Sequence, residues 1–184
     1  MKRLVVLLLA AVTGLIFLPA TPAHALLPQE SVTIHSGTNF NMCLDVGGFS
    51  FDDNAAILHF QCNGAPNQRF TPQFLGITTD RHRNRLEVYR LVSDWSNKCI
   101  QVRDEKTNSG AMVVQKTCSG HRSQWWLSLG ALHFVPTDLV NGHTIDGLFD
   151  NARCMDVPNA TTGFAVMQIW SCNGSAAQRF TFVP

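Results

Sequence analysis

The sequence lacks the common spacings of zinc sites and the signatures of Ser and Cys hydrolases. After residue 25 it contains no Cys-x-x-Cys or His-x-x-x-His spacing, so a zinc site is not indicated. No Gly-x-Ser-x-Gly motif is present, and the histidines form no recognisable set with a nucleophile and a carboxylate. We therefore expect no enzyme, no cofactor and no metal site.

Net charge is also small. Lys2 and Arg3 account for two of the 14 basic residues, which leaves 12 against 13 acidic residues in the rest of the chain. Nucleic-acid binding needs an excess of positive charge, so the balance argues against such a partner. The short basic cluster Arg81–Arg85 is predicted to be a solvated loop.

Long apolar runs are absent except at the N-terminus. The positive pair Lys2 and Arg3 precedes the apolar run Leu4–Leu18, and Ala23–Ala25 forms a small-x-small cleavage site. A membrane anchor is the alternative, but two prolines interrupt a segment that would need roughly 20 apolar residues to span a bilayer. We predict a signal peptide at residues 1–25, a mature start at Leu26, a secreted protein and no membrane span.

What the sequence does have is a triplicated pattern. The first cysteines of the three copies are 56 and 55 residues apart, and the second cysteine follows after 19, 19 and 18 residues. A glutamine follows each second cysteine after six residues. Six cysteines allow about 15 pairings, and the repeat favours the pairs within each copy. The predicted disulfides are Cys43–Cys62, Cys99–Cys118 and Cys154–Cys172.

Local signals within each copy favour short strands. Runs rich in β-branched and aromatic residues alternate with Gly, Asn, Asp and Pro clusters, and no mature segment has a convincing helical period. The predicted strands include Ser31–His35, Leu86–Leu91, Met112–Thr117, Phe164–Trp170 and Arg179–Val183. A unit of this size cannot bury enough surface alone, whereas three units can share one core.

We therefore predict an all-β, closed, pseudo-threefold domain over residues 26–184, with about four strands in each repeat. The repeats span approximately residues 30–80, 85–136 and 138–184. Phe70, Trp126 and Phe180 occupy equivalent positions and are expected in the common core. The segment Pro72–Asn84 between the first two repeats is predicted to be a surface loop.

The motifs Cys-x-Asp-Val, Gln-x-Trp-x-Cys, Asn-Gly and a closing Gln-x-(Trp/Phe) resemble the ricin B-chain type lectin domain. The resemblance covers Ser31–Val183, and it implies a β-trefoil with repeats α, β and γ. Each repeat of that family can carry a shallow carbohydrate site without catalytic activity. The family's binding set is an Asp after the first cysteine, a Gln four residues before the second, an aromatic two before it, and a closing Asn-Gln pair.

Carried over position by position, this set is incomplete in every repeat. The γ repeat offers Asp156, Gln168, Trp170 and Gln178, with Ala177 in place of Asn. The α repeat offers Asp45, Phe60, Asn67 and Gln68, with Leu58 in place of Gln. The β repeat keeps the closing glutamine, Gln124, and has Gln101, Val114, Lys116 and Ser123 at the other four positions of the set. The resemblance therefore implies carbohydrate sites in the γ and α repeats, for galactose-type or related sugars, and none in the β repeat.

Other interpretations of these residues stay open. Asp156 could cap a turn, Trp170 could lie half-buried over the sheet, and the closing glutamines could satisfy buried backbone groups. Family members also occur as binding chains of toxins and as appendages of secreted hydrolases. A protein-interaction or targeting subunit is therefore the alternative function. Since the chain ends at Pro184, we expect any partner to be a separate protein. An enzyme or a protease inhibitor lacks an identifiable reactive set or loop.

Overall fold

The computed structural model describes residues 27–79, 83, 85–128, 137–144 and 151–184. The predicted signal peptide lies outside these residues. The described chain forms 13 strands joined by turns, several of them 3-10 turns, and none of its helices is long and apolar enough to cross a bilayer. The strands are β1 Val32–Ser36, β2 Met42–Val46, β3 Ile57–Gln61, β4 Arg69–Thr79, β5 Arg85–Ser93, β6 Cys99–Val102, β7 Val113–Lys116, β8 Trp126–Ser128, β9 Thr137–Asn141, β10 Arg153–Asp156, β11 Ala165–Val166, β12 Gln168–Ser171 and β13 Arg179–Val183.

Six of these strands close into a barrel. Antiparallel pairing runs from β1 to β4, β5, β8, β9 and β13, and β13 pairs with β1 again. Six of the remaining seven strands form three hairpins, β2–β3, β6–β7 and β10–β12, one from each repeat, and the short β11 pairs with β3. A closed barrel with three hairpins in threefold arrangement is a β-trefoil, so the predicted fold class is confirmed.

The core joins the three repeats. Phe70, Trp126 and Phe180 are all fully buried, as predicted from their equivalent positions. The indole nitrogen of Trp126 donates a hydrogen bond of 3.0 Å to the carbonyl oxygen of Ile100, which satisfies its one buried polar atom. Burying a large apolar side chain stabilises a fold by about 1.5–3 kcal/mol. Because the three aromatics share one core, the repeats stabilise one another.

The three hairpins meet at buried residues of the same core. Ile57, Val113 and Met167 each lie five residues before the second cysteine and are fully buried. The backbone nitrogen of Met167 donates to the carbonyl oxygen of Ile57 at 2.8 Å. The carbonyl oxygen of Met167 accepts from the backbone nitrogen of Val113 at 2.9 Å. These bonds join the third repeat to both others, and they separate β11 from β12.

Each hairpin carries one disulfide, and the pairing is the predicted one. Cys43–Cys62, Cys99–Cys118 and Cys154–Cys172 are bonded, with Cα atoms 5.1, 5.0 and 5.0 Å apart. On a chain-entropy model, closing a loop of this length stabilises the fold by about 3 kcal/mol.

The prediction of a surface loop from Pro72 was wrong for residues 72–79. These residues extend β4, which pairs with β5 as far as Thr79 opposite Arg85. A register shift between Phe74 and Gly76 marks a β-bulge, where Gly76 adopts a φ of 147°. Within the described chain, β4 pairs on its other side only through Arg69 and Phe70, so it tolerates proline as an edge strand does. Residues 80–82 and 84, most of the predicted basic loop, lie outside the described residues.

Two glycines bring the first strand of a repeat against its neighbour. Gly37 follows β1 and Gly142 follows β9. Their backbone nitrogens donate to the carbonyl oxygens of Arg179 and Trp125, respectively, both at 2.8 Å. A Cβ atom on Gly37 would lie 2.7 Å from the carbonyl oxygen of Ala176. No side chain fits at that distance without a backbone shift.

We predict that Gly37→Ala lowers the free energy of unfolding by about 1–3 kcal/mol, the usual cost of overpacking. Gly120→Ala is the matched control, because nothing lies within 4 Å of a Cβ there. Urea denaturation with the disulfides intact measures both. Equal midpoints for Gly37→Ala and Gly120→Ala would contradict the close approach.

Candidate functional site

The closing glutamines lie beneath the candidate sites. Gln68, Gln124 and Gln178 are fully buried, and each makes the same three hydrogen bonds. The side-chain nitrogen donates to the residue at the family's Asp position and to the carbonyl oxygen before the second cysteine. The side-chain oxygen accepts from the backbone nitrogen after that cysteine. In this order, the partners are Asp45, Gln61 and Asn63 for Gln68, then Gln101, Thr117 and Ser119 for Gln124, and Asp156, Ser171 and Asn173 for Gln178.

This geometry gives the glutamines a structural role, which the sequence had left as an alternative. Gln68 and Gln178 hold the carboxylate above them and present no surface of their own. Their predicted place in the carbohydrate site is therefore that of positioning residues.

In the γ repeat the carboxylate of Asp156 receives two amide hydrogen bonds. Gln168 lies opposite Asp156 in the β10–β12 register and donates to Oδ1 at 2.8 Å, while Gln178 donates to Oδ2 at 3.1 Å. Asp156 is only 5% exposed, and this desolvation raises the pKa of its carboxyl, whereas the two amide bonds act in the opposite direction. The carboxylate is fixed, with lone pairs left to accept hydrogen bonds from a ligand.

An open cleft of about 360 Å³ lies above Asp156. Its volume falls at the lower end of the range for small-molecule sites. Trp170, 45% exposed, forms one wall, and the turn Pro158–Ala160 forms another. Asn173 and Ser175 complete the rim. The sequence pattern identified Trp170 but missed the turn, whose signal was an Asn after proline, at a left-handed φ of 56°.

Each of the two carboxylates lacks a different amide of the set that the family resemblance implies. In the α repeat Asn67 donates to Asp45 Oδ1 and Gln68 to Oδ2, both at 2.9 Å, so Asp45 also receives two bonds. Leu58, opposite Asp45 in the register, is the counterpart of Gln168 and makes no polar contact. In the γ repeat the buried Ala177 replaces Asn67. A hydrogen bond to a charged group is worth about 1.5–3 kcal/mol, and each carboxylate keeps two.

The α site is otherwise built in the same way. Asp45 is 5% exposed, and burial raises the pKa of its carboxyl against the lowering effect of Gln68 and Asn67. Phe60, 39% exposed, takes the place of Trp170. The side-chain oxygen of Asn67 is buried without a partner within the described chain.

In the second repeat the corresponding space is bridged. Glu105 and His121 stand where Ala160 and Ser175 line the γ cleft, and Glu105 Oε2 lies 3.3 Å from His121 Nε2. The backbone nitrogen of Ser123 donates to His121 Nδ1, which places the proton on Nε2, facing Glu105. Gln101 supplies no carboxylate here. The missing ligands were evident from the sequence, whereas this contact between Glu105 and His121 was not.

One group of potential metal ligands occurs among the described residues, but its chemistry excludes a thiolate site. His35, Cys43 and Cys62 lie close together, and the two cysteines are bonded to each other. His35 Nδ1 lies 2.7 Å from the carbonyl oxygen of Phe40. The group therefore offers no thiolate to a metal ion.

No protein-family model and no characterised protein matches the sequence, whereas many solved structures match the fold. A designed threefold-symmetric protein, ThreeFoil, is 26% identical with a TM-score of 0.67, over 84% of this chain and 98% of the other. An exo-β-1,3-galactanase from Clostridium thermocellum is 21% identical with a TM-score of 0.68, over 86% of this chain but 31% of the enzyme. The C-terminal half of an earthworm R-type lectin, solved with GalNAc, is 14% identical with a TM-score of 0.55, over 84% and 98% of the two chains. The chain thus has the β-trefoil fold that R-type lectins also have.

Proposed function

We propose that the protein is a secreted, non-catalytic lectin that binds carbohydrate at the γ and α sites. The observation that carries this proposal is the pair of amide-held carboxylates, Asp156 and Asp45, each next to an exposed aromatic side chain. Galactose-type sugars are the favoured ligands. The complex of the earthworm lectin with GalNAc supports that choice.

The chemistry of the γ site suits a sugar ring. A fixed carboxylate can accept hydrogen bonds from two neighbouring hydroxyl groups, and charge-assisted bonds are the stronger kind. The exposed face of Trp170 can pack on the apolar C–H face of a pyranose. In the second repeat, Gln101 replaces the carboxylate and the Glu105–His121 pair crosses the space. We therefore exclude that repeat from the proposal.

Secretion and avidity are two further parts of the proposal, and both rest on features of the whole chain. The disulfides suit an oxidising compartment, which supports export through the predicted signal peptide. Two shallow sites on one rigid scaffold would gain avidity on a polymer or a glycosylated surface. No catalytic step is proposed, because the carboxylates are arranged to accept hydrogen bonds and lie in separate repeats.

We predict that Asp156→Asn lowers the affinity of the γ site for galactose by about tenfold or more, because hydrogen bonds to a charged group contribute about 1.5–3 kcal/mol. Trp170→Ala should have a similar effect through loss of stacking. Isothermal titration calorimetry on an Asp45→Asn background isolates the γ site. Asp104→Asn, in the exposed turn of the second repeat, is the matched control. Unchanged affinity in Asp156→Asn would contradict the site.

We also predict that galactose binding weakens as pH falls. Burial raises the pKa of Asp45 and Asp156 above the ordinary value of 3.8, so both carboxylates take up a proton at a higher pH than exposed ones. The native state then holds these protons more tightly than the unfolded chain, so protonation of these two groups favours folding. Affinity measured from pH 7 to pH 4, with circular dichroism as the folding control, tests this. Constant affinity over that range would show that neither carboxylate accepts ligand hydroxyls.

A protein-interaction or targeting subunit is the alternative, and one observation favours it. Phe49 and Phe51 are exposed and pack on Trp95 at ring distances of 5.5 and 4.8 Å, close to the second repeat. Exposed aromatic clusters often mark protein contacts. The two functions differ in their sensitivity to mutation. Asp45→Asn with Asp156→Asn would abolish lectin function, whereas a subunit that acts through Phe51 would keep its activity.

A further inference from the structure

Each site borders a strand from another repeat. Val166 of the third repeat lies opposite Leu58 of the first, Met112 of the second opposite Gln168 of the third, and Ala56 of the first opposite Val114 of the second. All three flanking residues lie six positions before a second cysteine. The contacts therefore run in a cycle, and each candidate site has one edge made by a neighbouring repeat.

We call the side chain two positions before each second cysteine the platform of that repeat. The residue two positions before each flanking residue lies beside the platform of the neighbouring repeat. The β11–β3 register continues from Ala165↔His59 to place Phe164 opposite Phe60. At the γ site the equivalent residue is Gly110, where a Cβ atom would lie 3.9 Å from the Trp170 ring. In the second repeat the equivalent neighbour is Asn54. Among these three described positions, the α site alone has an aromatic from outside its own repeat.

Phe164 and Phe60 form an exposed right-angled corner. Their ring centroids lie 6.2 Å apart and their planes meet at 88°. Phe164 is 62% exposed, so it contributes little to the core although it belongs to a loop with defined anchors. Asn39 donates to the carbonyl oxygen of Thr162 at 3.0 Å, and His59 Nδ1 lies 2.5 Å from the carbonyl oxygen of Gly163. These bonds hold the loop against the first repeat.

We propose that Phe164 is a ligand-contacting residue of the α site and that this site takes at least two linked sugar residues. The inference rests on the proposed lectin function. One pyranose packs on Phe60 with its hydroxyls toward Asp45, and the next residue of the glycan packs on Phe164. The γ site, with Gly110 at this position, offers Trp170 alone and takes a single terminal sugar. The two sites thus differ in the length of glycan that they recognise.

The test compares two sugars on one background. Asp156→Asn removes the γ carboxylate, and the α site is titrated by calorimetry with galactose and with β-1,3-galactobiose, a linkage chosen because the galactanase neighbour acts on it. Adding Phe164→Ala should reduce affinity for galactobiose about fivefold more than affinity for galactose, as expected for loss of one aromatic contact. Phe74→Ala, an exposed phenylalanine of β4, is the matched control and should leave the ratio unchanged.

The outcomes separate the inference from the proposed function. Equal affinity changes for both sugars in Phe164→Ala, or no change, would overturn the role of Phe164. If Asp45→Asn on the same background leaves galactose binding intact, or if the parent binds neither sugar, then the α lectin site itself is wrong. Thermal unfolding of each variant confirms that an effect on affinity is not an effect on folding.

Discussion

The buried closing glutamine is the interaction on which each hairpin and each candidate site depends. One amide group ties three parts of a repeat together: the residue two positions after the first cysteine, the end of the hairpin, and the chain after the second cysteine. The hydrogen bond to Asp156 is buried and the two to the backbone are partly buried, so loss of the amide would leave the buried carboxylate without one of its partners, at a cost of about 1–3 kcal/mol. The disulfide closes the same hairpin covalently. A rigid frame results, and it presents whatever side chain occupies the Asp position.

That frame explains why the three repeats can diverge without loss of the fold. Gln124 bonds to Gln101 in the same way that Gln178 bonds to Asp156, so the second repeat has the same frame without a carboxylate. In the proposed function, binding then depends on the residues around the frame. An open cleft lies beside Trp170, a corner of two phenylalanines flanks the α site, and the paired side chains of Glu105 and His121 occupy the second repeat.

The repeat pattern was enough to predict much of this. A fixed repeat period shows which positions are structurally equivalent, and equivalent positions are buried to a similar degree. The disulfides and the core aromatics Phe70, Trp126 and Phe180 could therefore be predicted from spacing. Contacts between repeats could not be predicted in this way, because spacing gives no register between strands of different repeats. Phe164 was identified only as part of a strand for that reason. The extension of β4 was missed because Pro72 and Gly76 are typical of loops, whereas an edge strand and a β-bulge accommodate both.

The central claim is that two carboxylate-bearing repeats bind sugar and the third does not. Two-dimensional NMR of the ¹⁵N-labelled protein, titrated with galactose, tests it most directly, because each repeat carries an equivalent closing glutamine. The account predicts shifts in the side-chain amides of Gln178, Gln168 and Gln68, with Gln124 unmoved. Shifts at Gln124, or no shift at Gln178 and Gln68 at saturating sugar, would contradict it.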